Sequence, residues 1–110
     1  MLFRSVAIAH STALGWDGAA YRRLGSSWVV RRHEVDYVVP VREGERVRLS
    51  TWIESIRGAS SVRRTLMTRV TGGAVVCRAT TTWAFVGLAR GRLVKIPDAL
   101  RQAFPVEPQG

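Results

Sequence analysis

The stretch RVRLSTWIESIRGASSVRRTLMTRVTGG, residues 46–73, decides the fold. Polar and apolar side chains alternate along residues 46–56, which predicts a strand. Its more apolar face carries Val47, Leu49, Thr51 and Ile53. Residues 58–60 predict a turn, residues 61–70 a second strand, and residues 71–73 a glycine-rich hairpin turn. The stretch therefore predicts two antiparallel strands, with a third to follow.

The second of these strands has a mixed pattern. Its apolar face would carry Val62, Leu66 and Val70, with Arg64 and Thr68 as interruptions. The opposite face would carry Arg63, Thr65 and Arg69. Because an apolar sheet face must be covered, we expect the apolar face to pack against a helix.

The flanking sequence supplies the other elements. Residues 27–39 and 74–86 are rich in Val, Thr and aromatic residues and predict two more strands. Residues 6–14 predict a helix, and Asp17 is a good N-cap for a second helix over residues 18–24. A short helix is predicted over residues 98–104. The sum is an α+β fold in which a four-stranded antiparallel meander packs on a helix.

Composition bounds the class of protein. The 110 residues, 46% of them hydrophobic, suit one domain with its own core. Cys77 is the only cysteine, so an intrachain disulfide or a multi-cysteine zinc site is excluded. No apolar run approaches the roughly 18 residues of a membrane span, and we expect a cytoplasmic protein. The formal net charge of +9 indicates an anionic partner, such as nucleic acid, a phosphorylated cofactor or an acidic carrier protein.

Four segments in order resemble a known family. They are AHSTALG at 9–15, RRHEVDYVVPVREGERVRLSTWI at 31–53, RGASSVRRTLMTR at 57–69 and ATTTWAFVGLARGRLVKIP at 79–97. Together they resemble acyl-CoA thioesterases of the hot-dog fold, specifically the 4-hydroxybenzoyl-CoA thioesterase type. The resemblance implies a curved antiparallel sheet wrapped around a central helix. It also implies a homodimer or homotetramer that hydrolyses an acyl-CoA thioester to the free acid and CoA.

The sequence departs from this family before the first helix. The resemblance places the catalytic carboxylate near the end of a strand that precedes the helix, but only MLFRS lies upstream of Val6. We therefore expect residues 1–5 to be a non-native leader and residues 6–104 to be a hot-dog domain with its first strand missing. Residues 105–110 are expected to form a flexible tail. The catalytic residue is unknown, and we expect impaired activity.

Two basic groups suit the phosphates of CoA. Guanidinium groups, hydroxyls and turn N–H groups all bind phosphate oxygens, and the resemblance places CoA phosphates in these two regions. The first group, around the turn at residues 58–61, comprises Arg57, Ser60, Ser61, Arg63 and Arg64. The second, after the last strand, comprises Arg90, Arg92 and Lys95. The alternative interpretation is a solvated basic edge that discourages pairing with other strands.

The remaining candidates favour structural roles. His10 and His33 have no Ser or Cys nucleophile at a recognisable spacing, so no catalytic triad is predicted. Cys77 is predicted to be a buried, inert thiol. Glu34 and Asp36 share a strand face and are expected to pair with arginines. We expect no metal and no cofactor.

Two other functions stay open at this point. One is a non-catalytic module that binds CoA or an acyl carrier. The other is a basic sheet that binds single-stranded nucleic acid through the tryptophans on its strands. This second alternative is the weaker one, because no motif of a known RNA-binding module is present.

Overall fold

The computed structural model describes residues 2–107, with side chains from Val6 onward. The elements, in chain order, are α1 (Leu2–Ala13), α2 (Gly18–Leu24), β1 (Ser26–Tyr37), β2 (Val47–Arg57), β3 (Ser60–Arg69), β4 (Val75–Gly87) and α3 (Asp98–Ala103). The predicted α+β architecture, a curved antiparallel sheet with helices, is confirmed.

The short helix α2 shows how local sequence sets its ends. Asp17 has extended backbone angles, and its Oδ1 accepts a hydrogen bond from Ala20 N at 2.9 Å. This caps one of the free N–H groups of the first turn. Gly25 ends the helix in the left-handed conformation, with φ 80°, which glycine adopts without strain. The predicted bounds of α2 are confirmed.

The sheet has the strand order β1–β4–β3–β2, and every pair is antiparallel. The predicted meander is right for β2, β3 and β4 and wrong for β1, which pairs with β4. The reason lies in the connections. Short turns join β2 to β3 and β3 to β4, whereas residues 38–46 form a long connection from β1 at one edge of the sheet to β2 at the other edge. Arg69 holds this connection with bonds to Glu45 Oε2 at 2.7 Å and to the carbonyl of Pro40 at 2.9 Å.

The orientation of β3 differs from the prediction. Ser61, Arg63 and Thr65 are buried on the face toward the helices, the inner face of the sheet. Arg64 is exposed on the opposite, outer face, which also carries the apolar residues Val62 and Leu66. The register fixes this choice, because Arg63 stands opposite Ile53, the most buried residue of β2. In β3 the more polar face therefore packs inward.

The core lies between the inner face and the helices. Phe85 of β4, Ile96 and Leu100 are fully buried, and Tyr21, Ile53 and Phe104 complete the cluster. The expected cover of the sheet by α1 is thus shared with α2 and with the C-terminal segment around α3.

Part of the predicted flexible tail lies against the sheet. Val106 forms a parallel bridge with Ile53, and Glu107 N donates to the carbonyl of Ile53 at 2.8 Å. The backbone of these two residues thus pairs with the edge of β2, and the flexible tail stays a prediction. Residues 108–110 lie outside the described part of the chain.

Candidate functional site

A cavity of about 250 Å³ lies between the inner face of the sheet and the helices. It is close to the lower end of small-ligand pockets, about 300–1,000 Å³. Its wall is mostly apolar and aromatic, as expected of a site that takes a hydrophobic ligand. The residues that line it are Ala7, Ile8, Ser11, Thr12, Trp16, Gly18, Tyr21, Ser27, Trp28, Ile53, Ile56, Ser61, Arg63, Trp83, Leu100 and Phe104.

A hydrogen-bonded group fixes one wall of the cavity. Ser11 Oγ and Tyr21 OH lie 2.7 Å apart, and Trp28 Nε1 donates to Tyr21 OH at 3.0 Å. Ser11 Oγ also donates to the carbonyl of Trp16 at 2.8 Å. These bonds join α1, α2 and β1, so they hold aromatic rings in place while satisfying polar atoms that burial would otherwise leave unpaired.

Among the residues that the structure describes, Arg63 is the one charged residue in the cavity wall. Its side chain extends from β3 toward α1 and is only 5% exposed. Nη1 donates to Thr51 Oγ1 at 2.9 Å and lies 2.9 Å from His10 Nδ1. Burial lowers the pKa of Arg63 to about 10, so the guanidinium stays protonated at neutral pH.

His10 is neutral in this arrangement. A guanidinium only donates hydrogen bonds, so Nδ1 of His10 accepts and the ring proton sits on Nε2. Burial and the charge of Arg63 lower the pKa of His10, while Glu107 raises it by a smaller amount. The ring also packs edge-on against Phe104 at a centroid distance of 5.7 Å. His10 therefore acts as an acceptor for Arg63.

No carboxylate lines the cavity among the described residues. The charge of Glu107 acts on His10, the acceptor of Arg63, and raises its pKa against the larger lowering effects. Asp17 caps α2, Glu45 pairs with Arg69, and Glu54 pairs with Arg64. These three acidic side chains thus have structural partners, and no other described Asp or Glu lies in the cavity wall.

The structure divides the first predicted basic group. Ser61 and Arg63 face the cavity, whereas Arg64 lies on the outer face. There Arg64 donates to Glu54 Oε1 at 3.1 Å and to Thr80 Oγ1 at 3.0 Å. Arg57 is exposed at the end of β2 and stands opposite Ser60 across the turn. Adjacent strand residues point to opposite faces, so these side chains cannot converge on one phosphate.

The second basic group lies at the same end of the sheet as this turn. Arg90, Arg92 and Lys95 are exposed in the segment after β4. Ile96 N donates to the carbonyl of Gly58 at 2.9 Å, and Phe85 N donates to that of Ala59 at 2.7 Å. The chain segments that carry the two predicted groups therefore meet at this end.

Apart from Ser61 and Arg63, sequence reasoning missed the polar and aromatic helix-side residues of the cavity wall. Ser11, Trp16 and Tyr21 are spaced as ordinary helix and turn residues, and nothing in their spacing marks a pocket. Arg63 carried a partial signal, because the face on which a strand arginine lies follows from the register of the strand, and Arg63 pairs with the buried Ile53.

The structure also gives the positions and contacts of Cys77, His33 and Glu34. Cys77 is a free, buried thiol whose pKa is raised by burial and by the charge of Asp36, which agrees with the predicted inert role. His33 Nδ1 lies 2.8 Å from Thr81 Oγ1 on the inner face. Glu34 pairs with Arg32 at 2.6 Å, as expected of a strand-surface carboxylate. Within residues 2–107 no helix has the length and apolar character needed to cross a membrane.

Residues 1–104 match one protein family, the N-terminal domain of acyl-ACP thioesterases. The chain belongs to this family. The acyl-ACP thioesterase domain is similar to the chloroplastic acyl-[acyl-carrier-protein] hydrolase FATB3 of Cuphea viscosissima, with 25% identity over 107 residues. That match covers 92% of this chain and 26% of the relative, so the chain spans about a quarter of that protein.

Solved structures establish the fold of this acyl-ACP thioesterase domain. The Staphylococcus aureus protein SAV2348, solved in complex with CoA, superposes with a TM-score of 0.85 at 11% identity, over 93% of this chain and 64% of that chain. The 1,4-dihydroxy-2-naphthoyl-CoA thioesterase of Synechocystis gives 0.81 at 12% identity, over 93% and 75%. The predicted hot-dog fold is confirmed. The narrower 4-hydroxybenzoyl-CoA type stays a prediction.

Proposed function

We propose that this domain binds the acyl group of a thioester and takes part in hydrolysing the thioester to a free acid and a thiol. The observation that carries the proposal is the apolar cavity between the helices and the inner face of the sheet, in a chain of the acyl-ACP thioesterase family. An apolar cavity with a few fixed polar groups suits a hydrocarbon chain or an aromatic acyl group.

The thiol side of the substrate is either CoA or the phosphopantetheine arm of an acyl carrier protein. Both are anionic, and the exposed arginines at the end of the sheet suit them in charge. We place the phosphate contacts at Arg57 and Ser60 of the turn and at Arg92 of the segment beside it, because these lie at one end of the sheet. Arg64, which faces outward and pairs with Glu54, is the weakest member of the predicted set.

Hydrolysis needs a group that activates water or attacks the thioester carbonyl. In the reaction the oxygen of water forms a C–O bond with the carbonyl carbon, the C–S bond breaks, and a proton from the water passes to the leaving sulfur to give the free acid and the thiol. The cavity wall holds no carboxylate among the described residues, and His10 is engaged by Arg63. This favours slow turnover by the 110-residue chain alone. It also supports the second candidate, a module that binds the acyl thioester without hydrolysing it.

Assembly and location are part of the same proposal. The homodimer or homotetramer predicted from the resemblance fits the exposed apolar residues along β1, including Val29 and Val30. The cytoplasmic location rests on the sequence composition alone. Nucleic acid is a weaker partner, because Trp28 and Trp83, two of the strand tryptophans, line the cavity and are not displayed as a stacking platform.

The test uses decanoyl-CoA and the intact 110-residue chain. Binding is followed by tryptophan fluorescence, since Trp16, Trp28 and Trp83 line the cavity, and hydrolysis by colorimetric detection of released thiol. We expect saturable binding with slow thiol release. Binding without any release would establish the non-catalytic module, and the absence of binding would contradict both candidates.

Two variants on α1 locate the acyl site. Ala7 is buried in the cavity wall, so Ala7→Phe would fill the space and should weaken decanoyl-CoA binding about tenfold or more. Ala13 is exposed on the same helix and lies outside the wall, so Ala13→Phe is the matched control and should bind normally. Equal loss in both variants would place the ligand elsewhere.

A further variant tests the phosphate contacts. Arg57→Gln should weaken CoA binding while leaving the affinity for decanoate, which has no phosphates, unchanged. Isothermal titration with each ligand measures the difference. An unchanged CoA affinity would remove Arg57 from the proposed contacts.

A further inference from the structure

Arg63 is a buried cation that forms no ion pair with the side chains described over residues 6–107. Proteins rarely bury a charged side chain unless an opposite charge compensates it, because desolvation of an ion is costly. Here its recorded partners, Thr51 and His10, are both neutral acceptors. The positive charge is therefore hydrogen-bonded but not neutralised.

The remaining donors of Arg63 are positioned to meet a ligand. Both recorded hydrogen bonds leave from Nη1, so the N–H groups of Nε and Nη2 stay available. The side chain lines the apolar cavity, whose other walls come from aromatic and aliphatic residues. Trp83, which also lines the cavity, has a buried Nε1 donor for which the described part of the chain supplies no hydrogen-bond acceptor. An acceptor brought in by a ligand would satisfy donors that the described residues leave unpaired.

We propose that Arg63 binds a carboxylate group carried into the cavity by a ligand with an apolar body. This inference rests on the proposed function, because it assigns the polar end of the same acyl ligand. A carboxylate matches the planar fork of a guanidinium, and the pairing is strengthened by exclusion of water from the cavity. An apolar chain with no oxygen near Arg63 would desolvate the cation further without supplying a hydrogen-bond acceptor or an opposite charge.

The carboxylate has two chemical sources. It is either the carboxylate of the free acid released by hydrolysis, or a distal carboxylate on the acyl group of a dicarboxylic thioester. The first source predicts that the product acid binds tightly and inhibits. The second predicts a preference for acyl groups that end in a carboxylate.

The experiment compares four ligands on the intact chain by isothermal titration at neutral pH. Decanoate and methyl decanoate differ only in the charged carboxylate. The mono-CoA thioester of decanedioic acid and decanoyl-CoA differ by the distal carboxylate. We expect about a tenfold or larger preference for the carboxylate in at least one pair, since hydrogen bonds to charged groups are the stronger ones.

The variant Arg63→Met removes the guanidinium and keeps an unbranched apolar chain about as long as the aliphatic part of arginine. It should abolish the preference for the carboxylate, so that the two ligands of each pair bind with similar affinity. Arg78→Met is the matched control, because Arg78 is exposed on β4 and lies outside the cavity wall. Circular dichroism of each variant establishes that the fold is retained.

The outcomes separate the two levels of the proposal. A preference confined to decanoate assigns the product acid, and one confined to the CoA pair assigns the distal carboxylate. Binding of all four ligands with no preference, or a preference that survives in Arg63→Met, would overturn the role of Arg63 and leave the acyl-binding function standing. No binding of any ligand would overturn both.

Discussion

Arg63 and Arg64 are neighbours on β3, yet their surroundings differ completely. Arg63 is 5% exposed, faces the cavity and has neutral partners in Thr51 and His10. Arg64 is exposed on the outer face and pairs with Glu54 at 3.1 Å. The strand pleat alone separates them. The exposed arginine thus has a carboxylate partner, whereas the buried arginine has neutral partners only among the described residues, and this is the basis for proposing that a ligand supplies its anion.

The largest difference should come from reversing each charge. Arg63→Glu puts a carboxylate beside His10 in a cavity shaped around a cation, and we expect a loss of about 3–5 kcal/mol in the free energy of unfolding. Arg64→Glu should lose no more than about 1 kcal/mol, because the pair with Glu54 is solvent-exposed. Urea denaturation followed by circular dichroism measures both, and equal losses would contradict the comparison.

Removing the buried charge should have a smaller effect of the opposite sign. Because the charge of Arg63 is not neutralised, Arg63→Met should raise the free energy of unfolding of the empty protein by about 1–2 kcal/mol. A residue kept for ligand binding can lower the stability of the empty protein in this way. Arg64→Met should change stability by less than about 0.5 kcal/mol. Thermal unfolding tests the pair, and a clear loss in Arg63→Met would mean that its bonds to Thr51 and His10 outweigh the cost of burial.

The smallest effect should appear in the pH dependence of stability. The pKa of His10 lies below its ordinary value, so the unfolded chain takes up a proton at His10 more readily than the folded one. Stability from this group is therefore complete above about pH 6.5 and is lost as the pH falls through the lowered pKa. Arg63 and Glu107 are the charged groups that act on His10, and they oppose each other.

The variant His10→Gln isolates this contribution, because glutamine can accept a hydrogen bond from Arg63 but does not titrate. Its free energy of unfolding should decline less than that of the original chain between pH 7 and pH 5. Denaturation curves at a series of pH values provide the measurement. Parallel declines in the two proteins would show that His10 does not couple protonation to folding.

Elements with strong local signals could be predicted from the sequence. The capped helix α2, the turn at residues 58–59 and the four strands follow from capping residues, glycine and alternation. The place of β1 in the sheet could not be predicted from the sequence, because the connection after β1 is long and tertiary packing then decides which strand β1 pairs with. The prediction of which face β3 buries was wrong for a related reason, because that face depends on the register with β2 and not on the polarity of β3 itself.

The candidate site was less predictable than the fold. Arg63 and Ser61 were singled out for phosphate binding, and the structure places both in the cavity wall. The aromatic wall and the Ser11–Tyr21–Trp28 contacts come from three separate elements, so no spacing in the sequence reports them. A site formed by tertiary packing carries little local signal.

The pairing of β1 with β4 has a consequence for how the chain folds. Strands β2, β3 and β4 are joined by short turns, whereas the pairing of β1 with β4 brings together residues far apart in the sequence, such as Ser26 and Gly87. Closing so long a loop costs more entropy and slows formation of the pair. We therefore expect the three-stranded unit to gain amide protection first in pulsed hydrogen exchange, and β1 to join last. Until β1 joins, the wall formed by Trp28 is absent, so the cavity becomes a binding site only in the final step of folding.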